Sequence, residues 1–285
     1  MVTLVEKAYA KLNLTLDVLG KRLDGYHDLK SVMQTVSLCD IIEMDLQTGQ
    51  PWAIRCDVEG IPCDERNLVW KAARLFCDTW KIDPDGIEIR IEKHSPSGAG
   101  MGGGSADAAA VLRMLNRYYG NPMTLMELAA LSAAVGSDVP FCVVGGTIMC
   151  EGRGEILRPL RPMPECIFLC CKPEFSISTP VLYKKLDEAE IEEHPDNDAM
   201  EAAIASENLG KIVANIRNVF DPVVSAQRSE IDHIKNICRM YDALAVEMTG
   251  SGSVVFAIMP DMDHAERAMD ALKKTYPQVF LAKPV

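Results

Sequence analysis

The chain is short of positive charge: Lys and Arg number 29 against 41 Asp and Glu, a formal charge of -12 over 285 residues, with a sequence pI near 4.9. A field of that sign opposes non-specific binding to nucleic acid or to anionic membranes, so neither is expected as a partner. No apolar run approaches the ~20 residues that a membrane span requires. Ten cysteines are present, at 39, 56, 63, 77, 142, 150, 166, 170, 171 and 238, yet none falls in a C-x-x-C pair or at a zinc-ligand spacing, and buried reduced thiols are the simplest reading. Residues 1–7 lack a charged segment leading into an apolar one, so the reducing cytoplasm is the expected location. Internal repeats and low-complexity linkers are missing too. With 48% hydrophobic and 25% charged residues the composition is that of an ordinary globule, which excludes disordered, collagen-like and coiled-coil chains. The length suits one large domain or two modest ones.

What is present is strong patterning. From Leu4 to Val18 the even positions are largely apolar (Leu4, Ala8, Ala10, Leu12, Leu14, Leu16, Val18), and the odd ones largely polar (Thr3, Lys7, Lys11, Asn13, Thr15, Asp17). That period of two predicts a strand or a bent pair of strands. The same alternation recurs in Ile87 to Glu92, just before a glycine cluster. Beyond the cluster, Ala108, Val111, Leu112 and Leu115 fall at helical spacing, and Gly120-Asn121-Pro122 supplies a stop. Thr124 and Glu127 have the spacing of a capping box, predicting a second helix that ends near Gly136, with Asp138 just beyond. Val143 to Cys150 and Cys166 to Lys172 read as buried strands. Leu186 to Glu207 is acid-rich and helical in tendency, most simply a solvated face without chemistry. Near the C-terminus, Ala245 to Thr249, Ser253 to Met259, a helix from Asp263 to about Tyr276, and Val279 to Ala282 predict an antiparallel sheet with helices on one face.

The strongest local signal lies between the Ile87 strand and the helix. Pro96, Ser97, Gly98, Ala99, Gly100, Met101, Gly102, Gly103, Gly104, Ser105 and Ala106 place five glycines ahead of an amphipathic helix. Glycine lets backbone approach a ligand closely and takes positive φ. Amide N–H groups backed by the helix dipole then converge on one spot, a phosphate cradle that needs no net positive charge. It is not a P-loop, since no lysine follows the glycines. Gly98-x-Gly100-x-x-Gly103 matches the dinucleotide fingerprint, but two consecutive helices follow where a second strand ending in an acid is required. A protein-kinase glycine loop would need flanking strands and a downstream Val-Ala-Ile-Lys, and neither is present.

Together with Ala8 to Leu14 and Gly250-Ser251-Gly252, the loop resembles the three motifs of the GHMP small-molecule kinases. Lys11 to Leu14, Lys21 to His27, Gly98 to Ala109 and Gly136 to Phe141 resemble, more narrowly, the branch acting on 4-diphosphocytidyl-2-C-methyl-D-erythritol. The resemblance runs from residue 8 to about 256 and implies an α+β chain of two domains. These are an N-terminal nucleotide-binding GHMP kinase domain over 1–155 and a C-terminal ferredoxin-like α/β sandwich over 156–285, with the site in the cleft between them. It also implies ATP-dependent phosphorylation of the acceptor's 2-hydroxyl, in the non-mevalonate route to isoprenoid precursors. A mevalonate- or homoserine-type kinase and an inactive nucleotide-binding regulator are the alternatives.

Phosphoryl transfer to an alcohol needs a positioned hydroxyl, a carboxylate to take its proton and cations or amides facing the phosphates. The resemblance gives these roles to Asp138 and Lys11, the lysine keeping the aspartate ionised and stabilising the developing alkoxide. Period two puts Asn13 on the face of Lys11, where its amide can reach the acceptor. The resemblance assigns Tyr26 and His27 to the cytidine part, one to stack and one to read an edge. It places Thr179 and Tyr183 on the other side of that ring, residues 96–106 around ATP, and Asn67, Leu68 and Lys93 on the adenine and ribose side. Gly250, Ser251 and Gly252 either lend amides to the substrate's diphosphate or form a plain hairpin turn. Ser95, Met101 and Asn218-Val219-Phe220 depart from the usual family residues without removing a polar group assigned to chemistry. ATP with Mg2+ is the expected cofactor, with no metal ligand assigned, and a monomer or weak homodimer is the expected state.

Overall fold

The structure, a computed structural model, describes residues 2–189 and 191–285. Met1, and Glu190 within the acid-rich stretch, lie outside the described residues. In chain order the elements are β1 (Val2–Asn13), β2 (Thr15–Lys21), β3 (His27–Leu46), β4 (Ala53–Cys56), α1 (Leu68–Trp80), β5 (Ile87–Glu92), α2 (Gly103–Tyr118), α3 (Leu125–Ser132) and α4 (Val139–Val144). There follow β6 (Thr147–Gly152), β7 (Ile156–Pro159), β8 (Ile167–Lys172), α5 (Thr179–Glu188), α6 (Asn197–Ala205), α7 (Leu209–Ala214), β9 (Arg217–Asn218), α8 (Phe220–Ser225) and α9 (Ser229–Met240). The chain closes with β10 (Ala245–Met248), β11 (Val255–Met259), α10 (Met262–Lys273) and β12 (Gln278–Ala282). No described helix is long and apolar enough to cross a membrane.

The chain forms two compact units. One takes in Cys39–Ser95 and Gly102–Gly145 with the N-terminal residues up to Ala10; the other holds Lys11–Leu38, Pro96–Met101 and Gly146–Val285. The division falls inside β1, inside β3 and inside the glycine segment, rather than once along the chain.

In the first unit the C-terminal half of β3 pairs antiparallel with β5, from Ile41 opposite Glu92 to Leu46 opposite Ile87, and β4 lies parallel on the other edge of β5. Alternation does the sorting: Ile87, Ile89 and Ile91 are buried, as are Ile42, Met44 and Leu46 across the ladder. Helix α1 buries Val69, Ala72, Ala73, Phe76 and Cys77. Helix α2 buries the expected Ala108, Val111, Leu112 and Leu115, and also Ala109, Ala110 and Met114. Its run of alanines leaves room for neighbours on more than one face. The capping box of α3 forms, with Glu127 N–H donating to Thr124 Oγ1 and Thr124 N–H donating to Glu127 Oε2.

Two expectations are corrected here. The second helix stops at Ser132, four residues before Gly136, where single turns close with Val135 N–H donating to the Ser132 carbonyl. Val143 and Val144 are not strand but the end of α4, with Pro140 in its first turn and Gly145 at φ 72° after it. A short run of buried β-branched residues fits either state, and only the Gly145-Gly146 pair marks where the strand can begin.

In the second unit the N-terminal half of β3 pairs with β2 and, from Leu29 opposite Gly152 to Gln34 opposite Thr147, with β6. β7 continues from β6, and β9 lies parallel on β2. The bent pair of strands is therefore real, but from Lys11 to Asp17 the polar positions are as buried as the apolar ones: Lys11, Asn13, Thr15 and Asp17 are all below 5% exposed. The remaining strands form the antiparallel order β10-β11-β8-β12. With helices between β8 and β10 and between β11 and β12, this is the ferredoxin-like arrangement. Helices α9 and α10 set Ile231, Ile234, Cys238, Ala265, Ala268 and Leu272 against Leu169, Cys171, Val255, Ala257 and Met259. The opposite face is buried as well, with Phe168 and Phe256 edge to face at 6.1 Å. The cysteines are free thiols, and burial pushes Cys166, Cys170 and Cys238 up to about 12.

Phe256 has no exposed surface, so Phe256→Ala is expected to lower unfolding free energy by about 3–5 kcal/mol in urea titrations. A loss below about 1 kcal/mol would show that this sheet face is not core.

Candidate active site

Backbone carries the glycine segment. Gly98, Gly100 and Gly102 have φ of 60°, 78° and 68°, while Ala99 and Met101 between them are buried. A Cβ on Gly100 would stand 2.2 Å from the Thr249 carbonyl oxygen, and one on Gly250 would stand 2.8 Å from the Gly100 oxygen. Main chain therefore meets main chain, and any side chain at Gly100 would push the segments apart. Three hydrogen bonds hold the approach: Lys11 N–H donates to the Met101 carbonyl at 3.0 Å, Val254 N–H to Ala99 at 3.1 Å, and Gly252 N–H to Thr249 at 3.0 Å. Gly250, Ser251 and Gly252 form the turn between β10 and β11, and that turn is the wall on which the loop rests.

Gly102, in the left-handed region, caps α2 with no side-chain hydrogen bond and no acid in the first turn. The first N–H groups of this helix lack intrahelical partners by construction, and the dipole adds to their pull on an anion. Gly104 lies near Leu68, whose Cδ1 would be 3.7 Å from an added Cβ.

Lys11 and Asn13 form one hydrogen-bonded set on β1. Lys11 Nζ donates to Asn13 Oδ1 at 2.5 Å, Asn13 Nδ2 donates to Ser31 Oγ at 2.8 Å, and Thr249 Oγ1 receives the Asn13 N–H at 2.9 Å. The Asn13 amide thus orients the lysine and keeps a second N–H beyond the one given to Ser31. Ser31 and Thr249 were missed, since nothing in their local sequence marks them. Asp138 is half-buried in the first unit and caps α4, its carbonyl accepting from Cys142 N–H at 3.1 Å.

Lys93 is spoken for. Its side chain is 4% exposed, and its ammonium lies between Asp40 and Asp107, 2.9 Å from the latter. Asp40 also accepts from His94 N–H, Ser95 N–H and Ser95 Oγ at 2.6–2.7 Å, tying the approach to the glycine segment to β3. Asp107 Oδ1 is buried without a hydrogen-bond partner among the described residues, and burial pushes the Asp107 carboxyl up to about 7 against the pull of Lys93. Asn67 caps α1, its Oδ1 accepting from Val69 N–H and its Nδ2 donating to the Pro62 carbonyl. Both polar side chains expected on the adenine side are therefore engaged with protein.

His27, at the start of β3, stacks on Tyr183 of α5 with ring centroids 4.6 Å apart and planes 23° from parallel, and Tyr183 meets Phe220 edge-on at 4.9 Å. His27 Nε2 is 2.7 Å from Asp187 Oδ1, and Lys21 Nζ is 2.9 Å from the other oxygen of that carboxylate. Tyr26 is exposed, with the Arg153 guanidinium 4.8 Å over its ring. Thr179 Oγ1 lies 3.0 Å from Ser251 Oγ. Asp187 falls in the acid-rich stretch expected to carry no chemistry; its spacing of four from Tyr183 was the available signal, since i and i+4 share a helix face.

A cavity of about 750 Å³ opens elsewhere in the second unit, lined by Leu186, Val219, Asp221, Lys235 and Glu247 among others. Its charged floor is internally paired: Asp221 accepts from Lys235 Nζ, Ser225 Oγ and Met248 N–H. Burial beside Asp221 pushes Glu247 up to about 9.

Comparison with known proteins gives consistent matches. The family described as "GHMP kinases N terminal domain" matches residues 67–146, and "GHMP kinases C terminal" matches 199–278. A protein of Clostridium tetani named 4-diphosphocytidyl-2-C-methyl-D-erythritol kinase is 40% identical, covering 98% of this chain and 99% of its own length. One of the same name from Caldicellulosiruptor saccharolyticus is 42% identical, covering 98% and 96%. A crystal structure of 4-(cytidine 5'-diphospho)-2C-methyl-D-erythritol kinase superposes with a TM-score of 0.80 at 28% identity, covering 99% of both chains. A homoserine kinase from Cytophaga hutchinsonii, 19% identical with a TM-score of 0.77 over 98% of this chain and 94% of its own, shares the fold.

Asp107 generates a pH prediction. Its carboxyl is raised to about 7 from about 3.9 in an unfolded chain, so between those values the native state binds the extra proton and loses stability as pH rises. Asp107→Asn keeps an acceptor for Lys93 and removes the titration. Relative to this variant, the wild type should lose up to about 4 kcal/mol of unfolding free energy between pH 4 and pH 8. Parallel curves for the two proteins would contradict the assignment.

Proposed function

The chain belongs to the 4-diphosphocytidyl-2-C-methyl-D-erythritol kinases of the GHMP kinase family, and on that premise we propose that it transfers the γ-phosphoryl group of ATP to the 2-hydroxyl of 4-diphosphocytidyl-2-C-methyl-D-erythritol. That places it in the non-mevalonate route to isoprenoid precursors. The observation that carries the reading is identity of 40% across 98% of the chain, joined to a helix start built only of amides.

In this reading the triphosphate lies against the N–H groups of Gly102, Gly103, Gly104 and Ser105, where an uncapped helix start favours negative charge. Magnesium accompanying ATP would supply neutralisation of charge on the transferring phosphoryl group. No ligand to it is assigned on this chain. Lys11 stabilises the alkoxide that develops on the acceptor, and Asn13 sets the direction of its ammonium. Asp138 takes the hydroxyl proton. Asn67 and Lys93 act on the nucleotide through the elements they hold, and Leu68 lines its apolar side. Tyr26, His27, Thr179 and Tyr183 take the cytidine, and the turn at Gly250, Ser251 and Gly252 supports the loop beside the acceptor's diphosphate. The functional division is proposed at 1–155 and 156–285, the location as the cytoplasm and the working state as a monomer or weak homodimer.

ADP release with a panel of acceptors tests the assignment: turnover is expected with the cytidine-linked erythritol and not with mevalonate or homoserine, and the reverse pattern would overturn the substrate. Lys11→Met and Asp138→Asn should each lower kcat by about 100-fold or more while leaving ATP affinity within a few-fold.

A further inference from the structure

We propose that Asp187 is a positioning residue that sets which pyrimidine the site accepts, by holding the His27 imidazole with its proton on Nε2 and its lone pair on Nδ1. The proposal rests on the reading that the acceptor carries a cytidine, and it adds a residue to which that reading gives no part.

The argument begins with what a carboxylate can do. An ionised Asp only accepts hydrogen bonds, so at 2.7 Å from Asp187 Oδ1 the His27 Nε2 must carry the proton. The hydrogen bond from Lys21, and then that from His27, holds the Asp187 carboxyl below the usual carboxylate range, so it stays ionised near neutral pH. A second hydrogen-bond partner for the His27 ring does not occur among the described residues, and a neutral imidazole protonated at Nε2 presents Nδ1 as an acceptor.

The ring is also fixed in plane. The His27 side chain is 7% exposed and lies flat on Tyr183 at 4.6 Å, which Phe220 braces edge-on. Tyr183 and Asp187 are four residues apart on α5, so one helix face delivers both the stacking surface and the proton acceptor. A fixed acceptor discriminates because cytosine carries an exocyclic amine, a donor, where uracil carries a carbonyl oxygen, an acceptor. Against Nδ1 the first makes a hydrogen bond, and the second places two acceptors face to face with no proton between them. Sites that bond a specific donor reject analogues lacking it far more strongly than apolar pockets reject a change of shape.

The experiment has two readouts. In the unliganded protein at pH 8, nitrogen NMR of the imidazole should find His27 protonated at Nε2; a proton on Nδ1, alone or together with Nε2, would overturn the proposal. In acceptor kinetics, the wild type should prefer the cytidine-linked over the uridine-linked erythritol by about 100-fold in kcat/KM. Asp187→Ala and Asp187→Asn should reduce that preference below about 10-fold with the KM for ATP unchanged, the amide failing because it can turn either its oxygen or its nitrogen to Nε2. Asp187→Glu should restore part of it. A merely structural role would instead move the KM for ATP and the melting temperature together and leave the preference intact, which would count against the proposal. A wild type that turns over neither acceptor removes the functional reading and this proposal with it. One that turns over both equally, with His27 protonated at Nε2, removes the proposal alone.

Discussion

The arrangement depends on one contact between backbones. Gly100 sits so close to the Thr249 carbonyl that a methyl group would have to occupy space 2.2 Å from its oxygen, and Gly250 meets Gly100 from the other side. This close approach allows Lys11 N–H to reach the Met101 carbonyl and Thr249 Oγ1 to take the N–H of Asn13. The lysine strand, the glycine segment and the β10–β11 turn thereby become one rigid set within the second unit. Ala99 and Met101, buried between the glycines, anchor the segment with apolar contact, so the glycines serve a fixed shape rather than a flexible one.

That design also resolves an apparent conflict in the charge. A chain with a formal charge of -12 is a poor collector of polyphosphates at long range. Amide hydrogens at the start of α2, with no capping side chain and no acid in the first turn, favour negative charge locally without altering the net charge. The nearest lysine in sequence, Lys93, does not compensate, because its ammonium is held between Asp40 and Asp107. It serves instead to fix the path of residues 93–95 into the loop.

Much of this was legible beforehand, for a physical reason that differs by element. Strands with strict alternation and helices with marked ends were readable from local pattern: β5 spans Ile87–Glu92 as expected, and Thr124 with Glu127 closes the α3 capping box. The short helix α4 was not, because Val143 and Val144 suit a strand as well as a helix and only contacts made in three dimensions choose between them. Motif residues such as Lys11, Asp138 and the glycines stood out through their neighbours in sequence. Partners brought by the fold from elsewhere could not, among them Ser31 and Thr249 around Asn13, Asp40 beneath Lys93, and Asp187 beside His27. The side chains of Asn13 and Lys93 make hydrogen bonds to protein partners that lie far away in sequence, Ser31 and Asp40 among them. A polar residue in a motif can act on the neighbour that touches the ligand, and sequence does not distinguish the two.

The central claim is that bare amides at the start of α2 hold the triphosphate. Titration of the 15N-labelled protein with a non-hydrolysable ATP analogue and Mg2+ tests it directly, through the amide resonances of Gly102, Gly103, Gly104 and Ser105. The account predicts that these four shift more than any others in the chain and gain protection from hydrogen exchange as the site saturates. Saturable binding of the analogue that leaves all four unmoved would contradict it.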